Sequence, residues 1–348
     1  MKRKSTPSPE AVLAHQHARL ATFENAAEIN ANEGILLSGR AERHGQIEFA
    51  NAARITEAYF SEPLTAYALG WRDPNNIEAT LEFYAPRVPV NRRFEYAEAI
   101  NVEEFFSETD DIRAIGSDFK RVEYKSVKTS ARTDNKGLTM LVDLDEVADS
   151  QGWEQMYTGK LMRRLLRNEL RRAITLISAA ATNTAKTWDT TALKDPDADV
   201  RTDILAAAAL SGVRPNRVGY GDTAWDKRAL SHRAQTTAGG FASSTVTPDQ
   251  LAPLLMVDKV AVSKERHSTT ATARTEIVSN LVLEFYATDG MDTEDASNTK
   301  RFVSNAEGAG AFRVFSQQLS AKLYAITVEH YSLIKITSTL GLRKITVN

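Results

Sequence analysis

The sequence predicts an α+β fold, and three stretches of the chain carry this prediction. Residues 91–145 alternate polar and apolar side chains in the manner of β-strands. Residues 151–181 hold the strongest helical pattern of the chain. Residues 312–347 are again rich in alternating β-formers. Strand-rich and helix-rich stretches that lie apart along a chain are typical of α+β proteins.

Length and composition limit what the protein can be. The chain has 348 residues, of which 42% are hydrophobic and 25% charged, which excludes disorder throughout and predicts two to three structural units. Its 43 Lys and Arg against 45 Asp and Glu give a formal charge of −2, which argues against a dedicated nucleic-acid binder with a broad basic surface. Because the chain has no cysteine, disulfides, thiolate metal sites and cysteine nucleophiles are excluded.

The N-terminal residues predict neither secretion nor membrane insertion. The basic start, residues 1–4, leads into Ser, Thr and Pro rather than into an apolar segment, so no secretory signal is expected. No uninterrupted apolar run approaches the roughly 20 residues of a membrane span. We therefore expect a protein that is made in a cytosol-like compartment and has no membrane partner.

Residues 1 to about 70 predict a polar arm with little core of its own, including a helical pattern near 47–60. Strand-like alternation begins at 81–84. Pro86 and Pro89 follow, and they predict an edge strand or an extended segment because proline cannot donate to a central ladder.

The stretch 91–145 predicts a long β-ribbon with few large apolar residues, and residues 135–137 are a turn candidate within it. Such a ribbon is marginal alone, so we expect it to lie on a neighbour. It carries an acidic patch made of Glu103, Glu104, Glu108, Asp110 and Asp111.

The helical stretch 151–181 is expected to be roughly 45 Å long and to be capped by Asp149 or Ser150. Its apolar face consists of Leu161, Leu165, Leu166, Leu170, Ala173, Leu176 and Ile177. Its opposite face is basic and consists of Lys160, Arg163, Arg164, Arg167 and Arg171.

A polar connection is expected over 182–200, and residues 201–290 then alternate short helices and strands. Residues 236–244 contain Gly239 and Gly240 and predict a flexible loop. Thr247 and Pro248 predict the start of a short helix.

This order of units, together with several local stretches, resembles the major capsid proteins of tailed phages with the Hong Kong 97-type fold. The stretches are 85–90 before the ribbon, 214–225 as a strand, tight turn and helix, and 254–262 before a loop and the strand 280–286. The resemblance covers roughly 80–348, and the order of the pieces is its specific part.

The resemblance implies a domain plan, a function and partners. It implies self-assembly into hexamers and pentamers of an icosahedral shell around double-stranded DNA, without enzyme activity or cofactor. It also implies a virion capsid assembled in the host cytoplasm, with a portal and with scaffold or decoration proteins as further partners. The units would be an N-terminal arm at 1–80, a peripheral domain at 81–199 and 311–348 with the extended β-loop 91–145 and the spine helix 151–181, and an axial domain at 200–310.

Two site hypotheses follow from the sequence and the resemblance together. The first is an intersubunit contact between the acidic patch of one copy and Arg163, Arg164, Arg167 and Arg171 of the next; its alternative is that this helix face is solvated or paired within its own chain. The second is a mobile loop at Gly239 and Gly240 near the capsomer centre. Some relatives form Lys–Asn isopeptide bonds, but no asparagine or glutamate pattern here matches that chemistry, so non-covalent stabilisation is expected.

Two other functions stay open on the sequence alone. An encapsulin-like compartment would use the same fold around protein cargo. A cytosolic metal-dependent hydrolase would use the acids Asp195, Asp197 and Asp199, although they lack the glycine and glutamate of a calcium loop.

Overall fold

The computed structural model describes residues 42–43, 46–47, 59–73, 75–98, 112–113, 118, 127–147, 150–191, 194–235, 238–268, 270, 272–290, 297–304 and 311–348. The chain divides into two units, residues 1–58 and 59–348. In the first unit, the described strands β1 (Glu42–Arg43) and β2 (Gln46–Ile47) pair antiparallel.

The second unit mixes helices and strands, which confirms the α+β prediction. The described helices are α1 (Glu62–Gly70), α2 (Ile77–Tyr84), α3 (Leu144–Val147), α4 (Trp153–Ala180), α5 (Pro196–Ser211), α6 (Asp222–Ala234), α7 (Ala238–Ser244) and α8 (Pro248–Leu255). The described strands are β3 (Arg87–Val90), β4 (Arg93–Glu98), β5 (Val127–Arg132), β6 (Asp134–Asp143), β7 (Thr182–Lys186), β8 (Arg217–Gly221), β9 (Lys259–Ser263), β10 (Arg266–His267), β11 (Thr275–Glu276), β12 (Leu281–Phe285), β13 (Thr299–Ser304), β14 (Phe312–Gln318), β15 (Leu323–Ile336) and β16 (Arg343–Val347).

The first sheet is built around the 14-residue strand β15. Antiparallel β14 and β13 pair with its two halves, β6 pairs antiparallel with its residues 323–332, and β3 lies parallel to β13 at the edge. The proline-containing segment is therefore an edge strand, as expected. Helix α4 packs on β15 and β6, and its residues Leu161, Leu165, Leu166, Leu170, Ala173 and Ile177 join the main core.

The second sheet has the order β7-β16-β12-β8-β9. Helix α5 covers one face through Val200 and Ile204, which pack with Val218, Val282 and Ile345. The chain passes from β6 in the first sheet to β7 in the second, and it returns to the first sheet at β13. It crosses to the second sheet again at β16.

Several expectations of local structure are confirmed. Residues 217–220 and 281–285 are strands, residues 222–234 are a helix, and α8 begins at Pro248 with Thr247 as its N-cap. The Thr247 backbone N–H donates to the Gln250 side chain at 3.1 Å. No helix among the described residues is long and apolar enough to cross a bilayer.

The ribbon prediction was wrong in its extent. Residues 134–143 do not belong to a free ribbon, because β6 forms a ladder of ten residue pairs with β15. Residues 135–137 are consequently strand rather than turn. Gly137 marks a close approach between strands, since a Cβ on it would lie 3.0 Å from the Val328 carbonyl oxygen.

Four further expectations were wrong. Residues 81–84 are helical, because Leu81 and Tyr84 share one buried face of α2. Gly152, with φ 73°, precedes α4, where Asp149 or Ser150 had been expected as the cap. Leu176 is 37% exposed, since it falls outside the buried stripe. The polar connection 182–200 contains β7 and the first turn of α5.

Candidate assembly surfaces

A short ribbon forms a two-stranded sheet of its own and packs on the first large sheet. Within the described residues, β4 pairs with β5 and with no other strand. Its base is anchored by aromatic contacts, because the rings of Phe94 and Tyr96 lie 4.6 and 5.4 Å from the ring of Phe302 on β13. Burial, assisted by the neighbouring Glu98 carboxylate, raises the pKa of Tyr96 to about 12.

The exposed face of this ribbon is positively charged at its root, the end formed by Arg93 and Arg132. Arg93 and Arg132 lie directly opposite each other across the two strands, and both are exposed. Like charges that face each other across a ladder destabilise it. The two arginines border a groove of about 410 Å³ whose other walls are Phe94, Glu95, Ser130 and Ala131. Sequence reasoning missed this pair, because it depends on the register between two strands whose paired arginines are 39 residues apart in the chain.

The basic face of α4 is partly used within its own chain. Arg163 Nε donates to Asp73 Oδ1 at 2.9 Å, and Arg167 Nε lies 3.4 Å from Glu265 Oε2. These two arginines therefore pair within their own chain, which is the alternative given in the sequence analysis. The proposed acidic partners Glu103, Glu104, Glu108, Asp110 and Asp111 lie outside the described residues, so the intersubunit contact stays a prediction.

The apolar face of α4 contains a carboxylate that sequence reasoning missed. Glu169 is 1% exposed and accepts from Lys136 Nζ at 2.9 Å, from Arg172 Nη1 at 2.7 Å and from Ser332 Oγ at 2.8 Å. Burial alone would raise the pKa of Glu169, but contact with His330 and the charge of Lys136 hold it well below its usual range. The cluster joins α4 to β6 and β15. The sequence signal for this buried carboxylate was a single glutamate within the leucine-rich face of the helix.

This pairing also bears on covalent cross-linking. Lys136, within the stretch 91–145, donates to Glu169 and also to Ser332 Oγ at 3.1 Å. Both of these hydrogen-bond partners of the Lys136 amine lie within its own chain. Non-covalent stabilisation stays the expectation.

The acids considered for a metal site are engaged by the protein. Asp195 caps α5, Asp197 binds Arg228 through two bonds of 2.6 and 2.7 Å, and Asp199 accepts from Lys186 Nζ at 2.8 Å. No group of three His, Asp or Glu within the described ranges is arranged to hold a metal ion. The geometry gives the hydrolase alternative no support.

The segment around Gly239 and Gly240 is a helix, so the prediction of a flexible loop there was wrong for residues 238–244. The Arg228 guanidinium, fully buried against Asp197, also donates to the Ser243 carbonyl oxygen at 3.3 Å and thereby fastens α7 to α6. This tertiary contact compensates for the low helix propensity of the two glycines. Gly239 is exposed and Gly240 buried; their place at a capsomer centre stays a prediction.

A second buried carboxyl lies on the central strand of the second sheet. Glu284 is fully buried, and neither of its side-chain oxygens has a hydrogen-bond partner. Burial, together with the charge of Asp203, raises the pKa of Glu284 well above its ordinary value of 4.5. The native state therefore holds this carboxyl protonated at a pH where the unfolded chain would ionise it.

This raised pKa predicts a pH dependence of stability. A group with a raised native pKa contributes stability below its unfolded pKa, and that stability is lost as the pH rises toward the native value. Above pH 4.5, burial of the protonated Glu284 should therefore lower the free energy of unfolding by up to about 1.4 kcal/mol for each pH unit. We expect Glu284→Gln to flatten the fall in Tm between pH 5 and 9, as measured by circular dichroism. The exposed Glu146→Gln is the control; parallel curves for all three proteins would contradict the assignment.

Comparison with known proteins identifies solved structures with a similar fold. No family model and no curated protein matches the chain. Among solved structures, a phage-related protein from Bordetella bronchiseptica RB50 matches with a TM-score of 0.61 and 18% identity, covering 82% of this chain and 96% of that one. Weaker matches include the putative capsid protein of a prophage of Escherichia coli CFT073 (TM-score 0.48, 11% identity, 83% and 99% covered) and the capsid of the cyanophage P-SCSP1u (TM-score 0.46, 11% identity, 77% and 87% covered). The chain thus shares its fold, over 82% of its length, with the phage-related protein from Bordetella.

Proposed function

We propose that this chain is a viral major capsid protein that assembles into the hexamers and pentamers of an icosahedral shell around double-stranded DNA. The observation that carries the proposal is the β4–β5 ribbon, which is anchored at its base by Phe302 and pairs with no other described strand. One face of the ribbon packs on Val88 and Phe302 of its own chain, whereas the other face is exposed. A neighbouring copy would cover this exposed face.

The domain plan belongs to the same proposal. Residues 1–80 would be the arm, 81–199 and 311–348 the peripheral domain, and 200–310 the axial domain. In the peripheral domain, the Glu169 cluster fastens the spine helix α4 to β6, which follows the ribbon directly in the chain. A rotation of α4 during shell rearrangement would therefore carry the root of the ribbon with it.

The first experiment asks whether the chain forms shells. The purified full-length protein should elute at megadalton size and show closed particles by negative-stain electron microscopy. A small oligomer that never assembles under crowding or low salt would overturn the proposal. Particle contents separate the runner-up function: DNA in particles from infected or induced cells supports a capsid, whereas an enclosed enzyme supports an encapsulin-like compartment.

The second experiment tests the ribbon. Arg93→Glu with Arg132→Glu changes two exposed side chains, so Tm should stay within a few degrees of wild type. Particle yield should fall at least tenfold if a neighbour covers this root, because reversed charges in a closed interface cost several kcal/mol. Arg93→Lys with Arg132→Lys keeps the charge and is the matched control. Equal yields from both double variants would show that the ribbon root contacts no neighbour.

A further inference from the structure

We propose that the exposed face of the β4–β5 ribbon binds the acidic patch of a second copy, whose carboxylates are received by Arg93 and Arg132 at the ribbon root. The second copy comes from the proposed function, on which this inference rests. The root would receive the patch in place of the basic face of α4, where Arg163 and Arg167 are paired within their own chain.

The ribbon has one face toward its own core and one exposed face. Phe94, Tyr96 and Ala131 pack in the cluster that contains Phe302. The described side chains of the two strands that are exposed are Arg93, Glu95, Lys128, Ser130 and Arg132. Because none of these is an apolar residue, recognition of this face depends on charge and hydrogen bonding rather than on an apolar interface core.

The two arginines at the root lie opposite each other without a counterion in the part of the chain that the structure describes. Within those residues, neither guanidinium has an ion pair, a hydrogen bond or a contact with an aromatic ring. By contrast, Arg92 lies over the Tyr331 ring, 4.2 Å from its centre. The Thr133 backbone N–H donates to the Arg92 carbonyl oxygen at 3.0 Å and joins the strands beside the pair. Since opposed like charges destabilise a ladder, an anion bound by both arginines would offset that cost.

The groove at the root also contains a carboxylate, which is directed across the ladder. Glu95 Oε1 lies 3.5 Å from Ser130 Oγ, which donates to it. The groove of about 410 Å³ thus has two positive charges and one negative charge in its walls. This mixture favours a segment of protein over nucleic acid, because Glu95 would face a backbone whose negative charges recur along the whole strand.

The complementary charge of this chain lies in the acidic patch. Residues 99–112 carry the five carboxylates of the patch and no lysine or arginine. They follow Glu98, the last residue of β4, which is five residues and therefore about 17 Å from Arg93 along the strand. The root and the start of the acidic segment are thus at opposite ends of the ribbon. A contact between two different surfaces is head-to-tail, so it can be repeated from copy to copy around a ring.

The test exchanges the charges of the two surfaces in the full-length protein. The root variant, Arg93→Glu with Arg132→Glu, makes the root negative. The patch variant makes the patch positive by three substitutions, Glu103→Lys, Glu104→Lys and Glu108→Lys. Each variant alone should lower particle yield at least about tenfold, because like charges then meet in the contact. Mixed before assembly, the two variants should recover the yield to within about threefold of wild type, since the root of each fits the patch of the other.

The readout is the fraction of the patch variant that sediments with particles. Arg201→Glu with Arg233→Glu reverses two exposed arginines on α5 and α6 and is the matched control for the root variant. Mixed with this control, the patch variant should stay in the supernatant, because both proteins then have a positive root. Circular dichroism of each unmixed variant should give a Tm within a few degrees of wild type, which excludes misfolding as the cause of a lost yield.

Normal particle yield from the root variant alone would overturn the inference. Recovery only when all five substitutions stand in one chain would place the contact within a single copy and would also overturn it. No recovery in either arrangement, in a protein whose wild type forms shells, would overturn the inference and leave the proposed function standing. A wild type that never forms shells would overturn the proposed function and this inference with it.

Discussion

Replacing Gly221 with alanine is expected to prevent the second sheet from folding. A Cβ at this position would lie 1.7 Å from the Ser279 carbonyl oxygen and 2.4 Å from that of Val278. Both are backbone atoms just before β12, which pairs with β8 in the middle of the sheet. The overlap can be relieved only by separating these strands, and a cost above about 4 kcal/mol is typical of such overpacking combined with lost pairing.

The measurement is the yield of soluble protein and its thermal unfolding. Gly239→Ala is the matched control, because nothing lies within 4 Å of its Cβ and the position is helical. That variant should gain roughly 0.4–1 kcal/mol through the reduced entropy of the unfolded chain. Similar Tm values for the two alanine variants would contradict the close approach at Gly221.

Removing the Glu169 carboxylate has the second largest expected effect. Glu169→Ala leaves Lys136, whose side chain is 14% exposed, without its carboxylate partner, and also takes an acceptor from Ser332. Breaking a buried ion pair from one side typically costs 3–5 kcal/mol, since the remaining charge stays desolvated. We expect a loss of that size in the free energy of unfolding, measured by urea denaturation.

Two further variants separate charge from packing. Asp145 pairs with Lys322 at 2.5 Å, but both side chains are about two thirds exposed, so Asp145→Ala should cost at most about 1 kcal/mol. Glu169→Leu with Lys136→Met removes both buried charges and should recover most of the loss. If the double variant is as unstable as Glu169→Ala, the stranded lysine is not the cause.

Periodicity made much of the fold predictable. The apolar spacing of α4 predicted a helix, and the alternation in β15 predicted a strand. The cap at Thr247 was a local signal. Residues 135–137 misled because asparagine, lysine and glycine favour a turn locally, yet ten ladder pairs with β15 outweigh that preference. The helix at 238–244 was hidden for the same reason, because its stabilising contact comes from Arg228.

Less of the candidate surfaces was predictable. The basic stripe of α4 was evident, but Arg163 and Arg167 find their carboxylates 90 and 98 residues away in sequence, and such partners have no local signature. The opposition of Arg93 and Arg132 depends in the same way on strand register. Glu169 was missed as well, although a charge within an apolar stripe points to a buried partner whose identity the sequence leaves open.

The direct continuation of β5 into β6 has a mechanical consequence. Only Thr133 separates the ribbon strand from the strand that pairs with β15 over ten residues. Tension that pulls β6 lengthwise is shared by the whole ladder at once, so its hydrogen bonds are loaded together in shear rather than opened singly from one end. A neighbour pulling on the ribbon would thus be held by the longest strand pairing described in the molecule.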